Sequence, residues 1–196
     1  MPRRRQLVLA STSAYRRELL RRLGLPFESA APEIDETPLS GESPWDTALR
    51  LSLAKARAVS GRFPEALVIG SDQVATHEGQ AIGKPGNHEN ALAQLRRLSG
   101  GAADFHTAVS LLDARTGEAR SHIVACRVVF RVLDDRLIEN YLRLEQPYDC
   151  AGSAKSEGLG IALIQRIETE DPTSLVGLPL IALTTMLEQA GLPVLA

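Results

Sequence analysis

The chain has 196 residues, a mass of 21.2 kDa, 44% hydrophobic and 23% charged residues, and a formal charge of −2 with a pI near 6.1. This composition argues against disorder and leaves no global basic field to hold a nucleic-acid duplex, so a bound anion has to be held by a local cluster. No apolar run approaches the roughly 20 residues a bilayer span needs, and Cys126 and Cys150 lack metal-ligand spacing, which points to a reduced, cytoplasmic protein with no membrane partner.

In chain order, the apolar run Leu7-Val8-Leu9-Ala10 predicts a buried strand. Ser11, Thr12 and Ser13, all good helix caps, follow it and lead into a helix with Leu19, Leu20 and Leu23 on its apolar face. Met1-Pro-Arg-Arg-Arg-Gln6 looks like the basic start of a leader, but the apolar run after it is too short for a secretory core, and no leader is expected. A short strand is expected after Leu25-Pro26-Phe27, then a long acidic loop from Pro32 to Ser43 with Glu33, Asp35, Glu36 and Glu42. Loops of that length are often functional. Ser43, Pro44 and Asp46 predict a capped helix to about Ser60, with Leu49, Leu53 and Ala56 as its apolar face and Lys55 off that stripe.

Ala66 to Gly70 predicts a buried strand ending in Ser71-Asp-Gln-Val74. A turn at His77-Glu-Gly-Gln80 leads back to Ile82, Pro85 stops regular structure after Lys84, and Asn87 caps a helix from His88 to about Leu98. Phe105 to Leu112 and Ser121 to Val132 predict an antiparallel hairpin around Asp113-Ala-Arg-Thr-Gly117. Asp134 caps a helix to about Leu144, a glycine-rich stretch runs from Cys150 to Gly160, Ile161 to Ile164 reads as a strand, and Leu178 to Ala190 as a last helix. Strands and helices alternate around one hairpin, which predicts an α/β (α+β-like) fold, a mixed twisted sheet flanked by helices, read as one domain over residues 1–196.

The first helix carries the sharpest chemistry. Arg16 and Arg17 stand where a helix N-terminus is already partly positive, mildly unfavourable until an anion binds. Free N–H groups, the hydroxyls of Ser11 and Ser13 and two guanidinium forks make an oxyanion site. The competing reading is a plain capped helix with solvated arginines. Lys55, Lys84 and Lys155 join such a site only if the fold brings them to it. Asp72 at a strand terminus is the clearest acid–base candidate, with a turn or cap aspartate as the alternative. Glu36 is the candidate to hold a divalent cation with it, because magnesium takes one or two carboxylates and several waters. His77, His88, His106 and His122 lack zinc-site spacing, and there is no Walker loop, nucleophile elbow or dinucleotide fingerprint.

Several separated motifs belong together: Leu9-Ala-Ser-Thr-Ser13 with Arg16-Arg17-Glu18-Leu19-Leu20, Asp35-Glu36, Lys55-Ala56, Gly70-Ser-Asp-Gln-Val74, Gly83-Lys84-Pro85, Ala151-Gly152-Ser153 with Glu157-Gly158, and Val176-Gly-Leu-Pro179. On these the chain resembles the Maf family of nucleoside triphosphate pyrophosphatases over nearly its whole length. The resemblance implies two lobes around a central cleft, an ITPase-like arrangement, and hydrolysis of a nucleoside triphosphate to a monophosphate and diphosphate. It assigns Asp72 as acceptor of the attacking water's proton, and a divalent cation, Mg2+ or Mn2+, as cofactor at Glu36 and Asp72. Ser11, Ser13, Arg16, Arg17, Lys55 and Lys84 then surround the phosphates, and a homodimer is the implied assembly.

Ala14 and Tyr15 depart from the proline and arginine that many members carry. Tyr15, Gln73 and Glu157 fall at the family's three specificity positions and resemble the branch acting on 7-methyl-GTP. N7-methylated guanine is positively charged, so stacking on Tyr15 gains about 0.5–2 kcal/mol of cation–π attraction, and a carboxylate such as Glu157 accepts two guanine N–H groups where uracil or thymine offers one. The same chemistry on dTTP and UTP, and a nucleotide-binding septum-formation regulator without catalysis, are the two competing functions.

Overall fold

The first apolar run forms the strand Leu7–Leu9 (β1), and Ser13 caps the helix Ala14–Arg21 (α1) by accepting the Arg16 N–H. In this computed structural model, which describes residues 5–195, the remaining elements are Glu28–Ser29 (β2), Pro44–Ser60 (α2), Leu67–His77 (β3), Gln80–Ile82 (β4), His88–Leu98 (α3), Ala102–Asp113 (β5), Ala119–Phe130 (β6), Asp135–Glu145 (α4), Ile164–Thr169 (β7) and Leu180–Gln189 (α5). The basic start at residues 1–4 lies outside the described residues. The seven strands form one mixed sheet in the order β2-β1-β3-β5-β6-β7, with β4 paired to β3. The α/β expectation therefore holds. Among the described residues no helix is long and apolar enough to cross a membrane.

The chain packs as two units, and the long strands β3, β5 and β6 each contribute to both. The first holds the residues up to Gln73, His106–Val124 and those from Asp171. In it β1 pairs in parallel with β2 and β3. Leu19 and Leu20 of α1 and Leu183 and Leu187 of α5 close over Leu7, Leu9, Leu67 and Ile69, while Ala56 and Val59 of α2 pack with Val8, Ala10 and Val68. Alternate strand residues are thus buried by different helices, which is why these strands read as unbroken apolar runs.

The second unit, Val74–Phe105 with Ala125–Glu170, holds the hairpin from β3 to β4, whose turn places Glu78 and Gly79 at positive φ. Helices α3 and α4 pack together in it, with Leu95, Leu98, Ile138 and Leu142 buried.

Three sequence expectations give way. The buried stripe of α2 is Ala48, Leu51, Ser52, Lys55, Ala56 and Val59, one position round from the expected Leu49 and Leu53, so Lys55 points inward. Small residues on that stripe let the helix approach the sheet closely; a Cβ on Gly70 of β3 would stand 1.9 Å from the Ser52 carbonyl oxygen. Asp72 lies within β3, which runs on to His77, and not at a strand end. Ile161 to Leu163 is part of a 3-10 turn, Leu159–Leu163, and the strand begins at Ile164, where pairing with β6 becomes available.

Candidate active site

Leu9 of β1 stands opposite Ile69 of β3, and the Ala10 N–H to the Ile69 carbonyl closes their parallel pairing. Beyond it the chain after β1 turns through Ser11–Ser13 while β3 continues through Ser71, Asp72 and Gln73. The carboxyl end of a parallel pair is where α/β sheets receive ligands, because side chains and helix N-termini converge there.

Asp72 is 6% exposed and Lys55 4%. Lys55 Nζ lies 2.6 Å from Asp72 Oδ1 and 2.9 Å from Glu36 Oε2, so one ammonium joins two carboxylates. Asp72 Oδ2 takes no hydrogen bond from the described residues. Burial pushes the Asp72 carboxyl above its ordinary value against the pull of Lys55 and Arg16. Arg16 donates from Nε to the Gly177 carbonyl at 2.8 Å. Burial lowers its guanidinium while the charges of Asp72 and Glu36 favour it. Arg16 and Lys55 thus share one set of carboxylates, a convergence that the sequence left conditional.

Around them, the buried Ser11 accepts the Ser13 N–H through Oγ at 3.1 Å, and Ser13 Oγ accepts the Arg16 N–H at 3.4 Å. Each hydroxyl proton remains a donor for an anion. Arg17 is half-buried, and its guanidinium makes no hydrogen bond or ion pair among the described residues, while Tyr15 is half-buried on the same first turn. Glu36 and Asp72 have no third His, Cys, Asp or Glu grouped with them among the described residues as a metal set. Two carboxylates fit a hard divalent cation that completes its shell with water and substrate phosphate oxygens.

The loop bearing Glu36 is fastened through Glu42. That carboxylate accepts from the Leu39 N–H and Thr47 Oγ1, each at 2.9 Å, and from Arg50 Nε at 2.6 Å, while Arg50 also reaches the Thr37 carbonyl at 3.2 Å. The bond from Arg50 is the main cause holding Glu42 at about 2 against an ordinary 4.5. A depressed carboxylate stabilises fully above its unfolded value and loses that contribution as the pH falls through its folded one. Loop 33–42 is therefore expected to lose protection from proteolysis as the pH drops from about 4.5 toward about 2. Glu42→Gln should show the loosened loop already at neutral pH; equal protection in variant and wild type would remove the clamp from the account.

The other candidates lie in the second unit. Lys84 is exposed and unbonded among the described residues. Lys155 pairs with Glu145 at 2.9 Å, and Glu145 also accepts the Leu159 N–H at 2.7 Å, so it organises the turn that carries the exposed Glu157. Gly158 lies against it; a Cβ there would meet Glu145 Oε2 at 2.6 Å. In the first unit, His106 sets its ring edge-on to Trp45 with centroids 5.8 Å apart, and its buried Nδ1 has no hydrogen-bond partner among the described residues.

Sequence reasoning missed the Glu42–Arg50 clamp and the role of Ser71, whose hydroxyl lies 2.8 Å from the Ala108 carbonyl and 2.9 Å from that of Gly177. The only signal available for Ser71 was a hydroxyl inside a buried strand beside Asp72.

Comparison with known proteins agrees with these motifs. The family model described as Maf-like protein matches residues 6–190. A protein of Cupriavidus pinatubonensis called 7-methyl-GTP pyrophosphatase is 61% identical over 191 residues, covering 97% of this chain and 96% of its own. One of the same name from a Polaromonas species is 60% identical over 195 residues, covering 100% and 89%. A solved structure from Mycobacterium abscessus titled nucleoside-triphosphatase / dITP/XTP pyrophosphatase aligns over 65% of this chain and 75% of its own, with 21% identity and a TM-score of 0.41.

Proposed function

Because the chain belongs to the Maf family, matched from residue 6 to residue 190, we propose that it hydrolyses 7-methyl-GTP to 7-methyl-GMP and diphosphate. Relatives about 60% identical over nearly the whole chain carry that name and support this substrate. The protein is a nucleotide pyrophosphatase, a hydrolase acting on an acid anhydride.

The observation that carries the chemistry is the buried Asp72, held through Oδ1 by Lys55 with Oδ2 uncommitted. Water gives its proton to Asp72 Oδ2 as its oxygen bonds to the α-phosphorus. The α–β anhydride bond breaks and the electron pair leaves with the diphosphate. Lys55 keeps the acceptor oriented, while the helix start at Ser11–Ser13 and the Arg16 and Arg17 guanidinium groups receive the charge gathering on the phosphoryl oxygens. Mg2+ or Mn2+ held by Glu36 and Asp72 would supply further neutralisation of those oxygens.

Family membership supports Lys84 as a further phosphate ligand, and Tyr15, Gln73 and Glu157 as the residues that choose the base. A second copy of the chain is the proposed assembly partner and the cytoplasm the proposed location.

Pyrophosphate release from 7-methyl-GTP, GTP, dTTP, UTP and CTP tests the reading. The highest kcat/KM is expected for 7-methyl-GTP, with activity lost in EDTA and restored by Mg2+ or Mn2+. Glu157→Gln should narrow the preference over UTP by roughly tenfold, the worth of about 1.4 kcal/mol from one charged hydrogen bond. A wild-type preference for dTTP or UTP would keep the enzyme and overturn the substrate.

A further inference from the structure

Gln73 is held at one end of its amide. Nε2 lies 2.8 Å from Thr107 Oγ1, 3.0 Å from the Ser174 carbonyl oxygen and 3.1 Å from that of Leu175. Carbonyl oxygens only accept, so turning the amide over would set Gln73 Oε1 against two acceptors. Thr107 Oγ1 in turn donates its single proton to the Ser174 carbonyl at 3.0 Å, which leaves only its lone pairs to face Gln73. Thr107 is fully buried, so no water competes for that hydroxyl's orientation. The hydroxyl is thereby fixed as an acceptor and the amide nitrogen as its donor. Gln73 Oε1 takes no hydrogen bond from the described residues.

We propose that Thr107 is a positioning residue for substrate choice: together with the Ser174 and Leu175 carbonyls it holds the Gln73 amide nitrogen, so that Oε1 is presented to the base as a fixed hydrogen-bond acceptor. This rests on the pyrophosphatase reading and adds to it how Gln73 acts. A fixed acceptor suits an edge of successive donors, the N1–H and exocyclic amine of a guanine. It disfavours uracil, whose single N–H lies between two carbonyl acceptors. An amide free to rotate would offer its nitrogen to those carbonyls and lose the distinction.

The test measures kcat/KM for 7-methyl-GTP and UTP in the full-length enzyme with Thr107 changed to Val, Ala or Ser, and with Gln73→Glu. Thr107→Val and Thr107→Ala remove the hydroxyl, and whichever keeps the wild-type melting profile carries the comparison; Thr107→Ser restores it. The 7-methyl-GTP to UTP ratio is expected to fall roughly tenfold without the hydroxyl and to return in Thr107→Ser. Gln73→Glu, which has no donor for the three oxygens, should lose the ratio as well. An unchanged ratio in a folded hydroxyl-free variant, or an equal loss on both nucleotides, would overturn the proposal and leave Thr107 a structural residue. A wild type that releases pyrophosphate from neither nucleotide would overturn the reading beneath it, and this inference with it.

Discussion

Asp72→Asn is expected to lower kcat on 7-methyl-GTP by roughly 10²–10⁴-fold, the usual span for removing a general base, with a melting temperature close to wild type. Asparagine keeps the shape of the side chain and an oxygen for Lys55 at the position now 2.6 Å from Nζ. Lys55 also retains its bond to Glu36 at 2.9 Å, so the substitution does not strand a buried ammonium. Removal of Lys55 differs, because it leaves Asp72 charged and buried without its partner, a change that costs about 3–5 kcal/mol in comparable pairs. Lys55→Met should therefore lower stability and rate together, where Asp72→Asn lowers rate alone. Kinetics at saturating substrate beside thermal unfolding separate the two. Near-normal turnover by Asp72→Asn would remove Asp72 as the proton acceptor, and unfolding would reduce it to a structural ion-pair partner.

Gly70→Ala should be the most damaging small substitution in the described chain. Its Cβ would meet the Ser52 carbonyl oxygen at 1.9 Å, the Ala56 nitrogen at 2.9 Å and the Ser52 carbonyl carbon at 3.1 Å. All three are backbone atoms of α2, so no side chain can swing aside. The helix has to withdraw, which opens the packing of Ala56 and Val59 on Val8 and Val68. Overpacking of a tight core costs about 1–3 kcal/mol and sometimes more, and a backbone clash belongs at or above the top of that range. For a chain of this size that lowers Tm by about 6–12 °C. Lys55 stands three residues on from Ser52, so the same movement draws Nζ from Asp72 and activity should fall beyond what the lost fold explains. Gly61→Ala is the control, since a Cβ there meets nothing within 4 Å. Equal melting of the two variants would show that α2 gives way without cost.

The caps and turns were legible because each is written in neighbouring residues. Ser43 Oγ accepts the Asp46 N–H at 3.1 Å, Asn87 Oδ1 accepts that of Asn90 at 2.9 Å, and Asp134 Oδ1 accepts that of Leu137 at 2.7 Å, all three residues apart. The motif around Asp72 and the basic first turn of α1 were equally visible, and so was the family they indicate. A bond between near neighbours needs no distant partner, so the amino-acid order alone determines it.

Which side of α2 faces the sheet is another matter. Leu49 and Leu53 are the more hydrophobic choice, but helical spacing equally allows Ala48, Ser52, Lys55 and Val59, and the close approach at Gly70 selects the small residues. That choice buries Lys55 and turns an ordinary lysine into the partner of Asp72 and Glu36. Likewise Gln73 meets Thr107 and Ser174 across 34 and 101 residues of sequence. Sequence order determined the local hydrogen bonds and the identity of the reactive groups; only tertiary packing decided which of those groups share a buried site, because burial and charge pairing depend on partners that lie far along the chain.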